Sequence, residues 1–408
     1  IVGGSVRDVL LEKTPSDWDI AVNLDPEEIL GLFPGACTIG IEFGRVSVGD
    51  VDVVSLRAEK DYQDRRHPSQ VTFGVSLEKD LERRDFTVNA MAWDPFTGEV
   101  FDPCGGLDDL ERRMLACVGD PLLRFEEDPL RILRAVRLKN SLGFNLDAGV
   151  AKAIAGARGL LSQLPGDRMF TELKRILLSP SAYHGIMDMY GYGISTMVLP
   201  EMNRAPNQIA VAVSTCQPDL ATRLAVLLGL KGLHDEDSEG VHGLKLRFNL
   251  PVSLVQDVEW LVCHCDPEGI LDNRALPKGH WGLWKEPHGY ANDPGYFARR
   301  IAYHWGIRQL ERLIDVKRAI WLGLGNSGFP KGYLFLAAGL WALTQSDCQD
   351  FMDIAINGNE IMQLLDIEQG QVVGEAFEYL EDIVLQNPEK NRKQTLSQIL
   401  LGWWGKRT

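Results

Sequence analysis

Residues 3–22 read GGSVRDVLLEKTPSDWDIAV, and the fold of the chain turns on them. Gly3 and Gly4 follow Ile1-Val2, which reads as the end of a strand. Paired glycines there let backbone N–H groups approach phosphate oxygens, and the amides of the helix that follows favour anions. A triphosphate suits such a turn, although many glycine pairs are plain turns. Asp17-Trp18-Asp19 then runs into Ile20-Ala21-Val22. Residues two apart in a strand share a face, so both carboxylates stand together with apolar neighbours on the other side. Two exposed aspartates on an edge strand are the plainer alternative, and Ile20 and Val22 continuing the strand inward argue against it. Like charges held together call for a counterion, and hard oxygen ligands that leave room for substrate phosphates point to Mg2+. Asp52, in Val51-Asp52-Val53-Val54, offers a third acid, as a further ligand or as the base for an attacking hydroxyl. The expectation is a phosphoryl-transfer site with two Mg2+ ions, Asp17 and Asp19 as metal ligands, and Asp17, Asp19 and Asp52 as catalytic residues.

Outward from this stretch, residues 1–115 mix short β-branched runs (CTIGIEFGRVSV, DVDVVSL, QVTFGV) with turns and helical pieces, the pattern of a small sheet with helices against it. From about residue 120 the patterns are periodic and apolar (DPLRILRAVRLKNSL, RMFTELKRILL, YFARRIAYHWGIRQLERLIDVKRAIW), so the rest should be almost all helix. The class is α+β. Breaks are expected at 206–219, 234–240, 277–295 and 325–332, where Pro, Gly and polar residues cluster.

At 408 residues the chain has length for two to four modules. Its net charge of −15 excludes a protein coated in basic surface, but positive charge is clustered: Arg124, Arg131, Arg134, Arg137 and Lys139 in one stretch, and Arg299, Arg300, Arg308, Arg312, Lys317 and Arg318 in another. Seven cysteines without a CxxC pair support neither a disulfide framework nor a zinc ribbon, so reduced thiols in the cytoplasm are expected. Cys263-His264-Cys265 lies in an apolar run and reads as core. No apolar run is long enough to span a membrane, and IVGGSVRD is neither a signal nor a transit peptide.

In FEEDPLRILRAVR (125–137), Asp128, Arg131 and Arg134 are three apart and would share one helix face. Asp128 before Pro129 is also a good helix cap, and the aspartate–arginine spacing is that of a common surface pair. The other reading is that a carboxylate and a guanidinium side by side read the edge of a planar ligand, one accepting and the other donating.

GGSVRDVLL, SDWD, DLERRDFTVNAMA, FDPCGGLDDL, EEDPLRILRAVR and GDRMFTELKRIL occur in the order found in class II tRNA nucleotidyltransferases, and over residues 1–180 the chain resembles these CCA-adding enzymes densely. The resemblance implies a polymerase-β-type nucleotidyltransferase head at 1–118, then an all-α neck (119–185), body (186–320) and tRNA-binding tail (321–408). It assigns Gly3, Gly4 and Arg7 to the nucleotide, Asp17 and Asp19 to metals, and Arg84, Asp85 and Asn89 to the ribose. Read from the residues, Asp85 and Asn89 form an i,i+4 pair that accepts and donates, or caps the helix starting near Phe86. Glu127, Asp128 and Arg131 match the family's amino-acid template.

The chemistry agrees, because cytosine and adenine both offer an exocyclic amine beside a ring-nitrogen acceptor, whereas uracil and guanine present the opposite pattern. Arg134 and Arg137 continue the basic helix toward the nucleotide, by stacking or phosphate contact, or are simply solvated. Arg168, Arg299, Arg300 and Arg308 are expected on the RNA, with Lys390, Arg392, Lys393, Lys406 and Arg407 near the end adding charge. Residues 57–73 are polar and should be mobile, and the resemblance, in which members adding only CC lack a flexible loop here, implies addition of CCA or of A rather than CC alone. The partners expected are tRNA, CTP and ATP, with no membrane and no protein partner. An enzyme adding only A or only CC, a bacterial poly(A) polymerase and a non-catalytic RNA-binding module are the alternatives. His234-Asp235 lacks the further ligands of a phosphohydrolase.

Overall fold

The Gly3-Gly4 turn opens a sheet-and-helix head. In the computed structural model, which describes residues 1–37, 40–41, 44–60, 70–232, 239–267, 293–345 and 353–407, Gly3 adopts φ 78 and ψ −137 and α1 (Gly4–Leu10) follows at once. Next come β1 (Trp18–Val22), α2 (Pro26–Leu32), β2 (Arg45–Val48) and β3 (Val51–Ser55). The sheet order is β1-β3-β2, with β1 parallel to β3 and β2 antiparallel to it. Parallel neighbours need a crossover, and α2 lies in that connection. Its Ile29 packs with Val46 and Val53, and Val22 joins them from β1. The other side of the head is closed by Val2, Leu81, Ala90, Ala92 and Val118, with Ala21 against them.

The head continues through the hairpin of β4 (Arg57–Lys60) and β5 (Gln70–Phe73), then α3 (Leu77–Glu82), β6 (Ala92–Trp93), β7 (Val100–Phe101), α4 (Gly106–Glu111) and β8 (Met114–Leu115). Residues 61–69, the centre of the stretch expected to be mobile, lie outside the described residues, as do His234 and Asp235.

Helices dominate from residue 120, as expected, with one exception: β9 (Asn145–Leu146) pairs with β8. Asp120 caps α5 (Pro121–Glu127), accepting from the amides of Leu122 and Leu123. Residues 125–137 are not one helix. Asp128 is extended (φ −142, ψ 100), the conformation a following proline imposes, and α6 (Leu130–Leu142) starts anew beyond Pro129. After α7 (Ala148–Ala157), α8 (Gly166–Leu178) lays Met169, Leu173, Ile176 and Leu177 inward and packs on α6. The break expected at 206–219 is in part a helix, α11 (Pro206–Thr215), which follows α9 (Ala182–Gly191) and α10 (Ser195–Val198); Pro206 stands where proline is tolerated, at a helix start.

The chain forms two compact units, Ile1–Ala210 with Leu244–Leu250, and Val211–Gly243 with Pro251–Thr408. The expected head and neck fall together in the first. Segment 244–250 is built tightly into that unit: Arg247 donates to Val198 O and pairs with Glu201, and Phe248 lies against Phe170 at 5.4 Å. Gly166 is required there, because a Cβ would stand 1.6 Å from Arg247 O.

The second unit consists of α12 (Leu220–Gly232), α13 (Glu239–Phe248, whose last residues belong to the first unit), α14 (Val252–Cys263), α15 (Pro294–Trp305), α16 (Ile307–Gly323), α17 (Lys331–Gln345), α18 (Gly358–Leu365), α19 (Gln371–Gln386) and α20 (Lys393–Trp404). His264 and Cys265 are buried, with His264 Nδ1 2.7 Å from Trp260 O, whereas Cys263 is exposed, so the CHC run is core only in part. Lys317, fully buried, donates to His264 O and Asp266 O at 2.6 and 2.5 Å, closing the end of α14.

The arginines expected on RNA in this unit each have a protein partner. Arg299 donates to Leu385 O and Gln386 O at the end of α19, and Arg300 is buried against Tyr296 and Asp382. Arg308 is exposed but pairs with Asp219. Near the end, Lys393 pairs with Glu360 and Arg407 with Glu375. No helix among the described residues is long and apolar enough to cross a membrane.

Candidate active site

Most residues of the first unit expected at the site line one cleft of about 1070 Å3. Gly3, Gly4, Arg7, Asp17, Asp19, Arg84, Asp85, Asn89, Asp128, Arg131, Arg134, Arg137 and Arg168 all border it. Asp52 does not. Arg168, expected to touch RNA, borders the same cleft as the residues expected on the nucleotide.

At one wall Asp17 sits one residue before β1 and Asp19 within it. Ile20 does not run inward as expected; it is 38% exposed, and Val22 is the anchor on that face. Strand pairing sets Asp19 opposite Asp52, so the two carboxylates are neighbours on one face. Burial first, then the charges of Asp17 and Asp52, push Asp19 above the usual carboxylate range, against the pull of Arg84 and Arg45. Asp52 has both oxygens engaged, by Ser47 Oγ at 2.5 Å and by Arg45. Among the described residues no group of three or more His, Cys, Asp or Glu is placed to hold a metal ion. The donor set is therefore two carboxylates with a third charge behind them. This fits a cation that takes its remaining ligands from substrate phosphates and water.

Behind Gly3, Arg84 is fixed by buried Asp80, which it meets at 3.0 Å, while Arg83 meets the same carboxylate at 2.7 Å. Burial would raise Asp80, but the two guanidinium groups outweigh it and hold it low. Asp80 escaped the sequence reading; its signal was an aspartate three and four residues before the arginine pair in DLERRD.

Asp85 and Asn89 flank a short 3-10 turn, Thr87–Asn89. Asp85 Oδ1 accepts from Phe86 N at 2.9 Å and from Asn89 Nδ2 at 3.2 Å, and Arg7 Nη1 donates to Asn89 Oδ1 at 2.5 Å. Burial opposes ionisation of Asp85, yet Arg134, Arg131 and these hydrogen bonds keep its carboxyl below the usual range.

The break at Asp128 re-pairs the residues expected to read the base. Arg131 N donates to Asp128 O at 3.1 Å, and its Nη1 donates to Glu127 at 2.6 Å and to Arg124 O at 3.1 Å. Asp128 Oδ1 accepts from Leu130 N at 3.1 Å, although Pro129 and not Asp128 holds the cap position of α6, and its other oxygen meets Arg168 of α8 at 3.0 Å. Arg134 meets Asp85, and Arg137 meets Glu172, which also holds Arg175; neither is simply solvated. Glu172 is 3% exposed and was also missed, although a lone carboxylate on the apolar stripe of α8 marks it in the sequence. Buried Nε of Arg84 and of Arg134 and Nη1 of Arg168 find no hydrogen-bond acceptor among the described residues. Donors of this kind suit an acceptor-rich ligand.

Comparison with known proteins finds relatives for this part of the chain. Residues 1–116 match the family model described as the poly A polymerase head domain, and residues 143–205 that described as the probable RNA and SrmB-binding site of polymerase A. The CCA-adding enzyme of Streptococcus pyogenes serotype M3 is 46% identical over 192 residues, 46% of this chain and 48% of the relative. That of Geobacillus thermodenitrificans is 39% identical over 226 residues, 54% and 55% of the two chains. The chain thus spans about half the length of the curated relatives it matches. The crystal structure of the Bacillus stearothermophilus CCA-adding enzyme in complex with CTP superposes with a TM-score of 0.72 at 25% identity, over all of this chain and 93% of that one. The resemblance and the α+β architecture read from the sequence are both borne out.

Proposed function

We propose that the protein is a template-independent tRNA nucleotidyltransferase that adds C, C and A from CTP and ATP to the 3′ end of tRNA in the cytoplasm. The observation that carries this reading is that one cleft brings together the Gly3-Gly4 turn, the Asp17–Asp19 pair and the Asp128 and Arg131 side chains. Two Mg2+ ions held by Asp17 and Asp19 would activate the 3′ hydroxyl of the RNA and neutralise the triphosphate. The Gly3-Gly4 backbone cradles phosphates, and Arg7 and Arg84 add positive charge beside it. Asp52, engaged by Ser47 and Arg45, acts by charge and positioning behind Asp19 rather than as a free base.

At the other end, Asp128 accepts from the exocyclic amine of C or A, and Arg131 donates to the ring nitrogen. Uracil O4 facing the carboxylate, or guanine N1–H facing the guanidinium, would cost about 1–3 kcal/mol each. Glu127 and Arg168 hold the two readers, so selection rests on fixed side chains rather than on a nucleic-acid template.

The test is incubation with tRNA lacking its CCA end and each NTP alone or mixed. CTP alone should add two residues, and CTP with ATP should add all three. Growth by A alone, or by CC alone, would identify the partial enzymes, and a long A tail the poly(A) polymerase. Asp17→Ala or Asp19→Ala should abolish transfer while tRNA binding is retained, and turnover in either variant would remove that residue from the chemistry. Absence of any incorporation by the wild type would refute the reading.

A further inference from the structure

Arg124 does not line the cleft, yet every nitrogen of its guanidinium is engaged. Nε donates to Val118 O at 2.8 Å and Nη2 to Glu82 O at 2.6 Å. Nη1 reaches the other way, to Glu127 Oε1 at 3.2 Å and Oε2 at 3.0 Å. Glu127 Oε2 also accepts from Arg131 Nη1, which donates as well to the carbonyl of Arg124 itself. Arg131 is thus held by Arg124 twice, once through Glu127 and once by its backbone. The anchors on the other side are firm. Val118 is buried in the core of the head and its amide donates to Asp85 O at 3.2 Å, while Glu82 ends α3 immediately before Arg83 and Arg84. Glu127, by contrast, is 30% exposed, so without Arg124 water competes for its carboxylate.

We infer that Arg124 is a positioning residue for base selection: it ties Arg131 to the backbone of the head, at Val118 and at the end of α3, and so fixes the direction in which that guanidinium donates. This deepens the transferase reading and rests on it. The break at Asp128 makes such a tie necessary, because Glu127 ends α5 and Arg131 stands in α6, and no continuous helix sets one against the other. A guanidinium aimed at the ring nitrogen of cytosine meets an acceptor, and one aimed at the same place on uracil meets an N–H. Once its direction is no longer set, it donates to a uracil carbonyl instead, and the difference between the two pyrimidines shrinks. The three acceptors around Arg124 lie in different directions, which the planar fork of arginine serves and the single ammonium of lysine does not. Substitution leaves the Arg124 carbonyl in place, so part of the hold on Arg131 survives.

The experiment measures Kd for CTP, UTP and tripolyphosphate with Mg2+, and kcat/KM for the two nucleotides on tRNA lacking CCA. It compares wild type, Arg124→Lys, Arg131→Ala and the double variant, with a thermal melt of each. Arg124→Lys should lower the CTP over UTP preference by roughly 3- to 30-fold, a part of the roughly 10- to 100-fold that one base contact is worth. Tripolyphosphate, which has no base, should bind as to wild type. Added to Arg131→Ala, Arg124→Lys should change the CTP over UTP ratio by less than about twofold, because the group it positions is already gone. An unchanged ratio in Arg124→Lys with a lowered melting temperature would overturn the inference in favour of a purely structural tie. A full further fall in the double variant would overturn it in favour of a route that bypasses Arg131. Binding keeps the two readings apart: a wild type that incorporates nothing defeats the transferase reading, while the Kd ratios still decide the role of Arg124. A wild type that binds CTP no better than UTP defeats base reading by Arg131 and this inference with it. Should the lysine variant not fold, Arg124→Gln, which can still donate to one carbonyl, carries the same comparison.

Discussion

Gly3→Ala should disable the site and loosen the first unit, and Gly4→Ala should do neither to a comparable degree. At Gly3 the backbone lies at φ 78, ψ −137, outside the basins open to a side chain, so alanine costs about 1–3 kcal/mol in strain. Its Cβ would stand 2.7 Å from Arg84 Nη1. Arg84 cannot simply swing away, because its other nitrogen is held by buried Asp80 at 3.0 Å. Loosening that contact adds about 1–3 kcal/mol, with Arg83 still compensating the rest of the carboxylate. The total, about 2–6 kcal/mol, is a large part of the 5–15 kcal/mol that holds a typical domain. Gly4 is helical, and its Cβ would meet Arg7 Nη2 at 3.4 Å, an ordinary contact with a side-chain tip. There a gain of up to about 1 kcal/mol in helix propensity offsets the crowding. Urea unfolding followed by circular dichroism gives the midpoint and slope, and nucleotide transfer is measured on the same samples. A Gly3→Ala midpoint equal to that of wild type, or a Gly4→Ala loss as large as that of Gly3→Ala, would refute the geometry.

Asp128→Ala should relax discrimination against UTP, and Arg131→Ala should weaken CTP and ATP by about 1–3 kcal/mol; equal effects on all four nucleotides would return both residues to a helix-capping role. Glu172→Ala leaves two guanidinium groups facing a 3% exposed site, and chemical denaturation should show a loss of about 3–5 kcal/mol. Arg175→Ala, whose side chain is 58% exposed, should stay within about 1 kcal/mol of wild type in the same titration. Lys317 is lowered from 10.5 to about 8, by burial first. From pH 8 to 9 the unfolded chain holds the proton that the folded one has released, so the second unit should gain stability as pH rises through that window; above it the buried thiols of Cys216 and Cys265, raised from 9.0, oppose the gain. Lys317→Met should abolish this slope in denaturation curves taken across the window, and a slope that persists would show another group to be its source.

The head was legible because its signals are local: a glycine pair, alternation around Asp19, and a spacing that let six motifs be read in order. The pairing of side chains was not. Asp128 and Arg131 looked like partners by helical spacing, but the restriction that Pro129 places on its predecessor broke the helix between them. The proline was visible, and weighing it against the periodicity would have foretold the break. Arg299 and Arg300 looked like surface charge because only one nearby acid in the sequence, Asp293 at 3.6 Å from Arg299, engages either of them. Their further partners, Asp382 and the last carbonyls of α19, lie more than eighty residues away and exist only once the helices pack. Asp80 and Glu172 carry the opposite lesson. Each is an acid on an inward face, and such a residue already announces that arginines must come to meet it.

Segment 244–250 bears on the order in which the molecule can be made. A ribosome that has released residue 210 has delivered nearly all of the first unit, yet Gly166, Phe170, Val198 and Glu201 still lack the neighbours that Arg247 and Phe248 bring. Some 40 further residues must emerge before that side of α8 is covered. At ordinary synthesis rates this is a delay of roughly 2–8 s. For that interval the nascent chain shows an apolar seam beside the helix that carries Arg168 and Glu172, and fragments ending near residue 210 inherit the same open seam permanently.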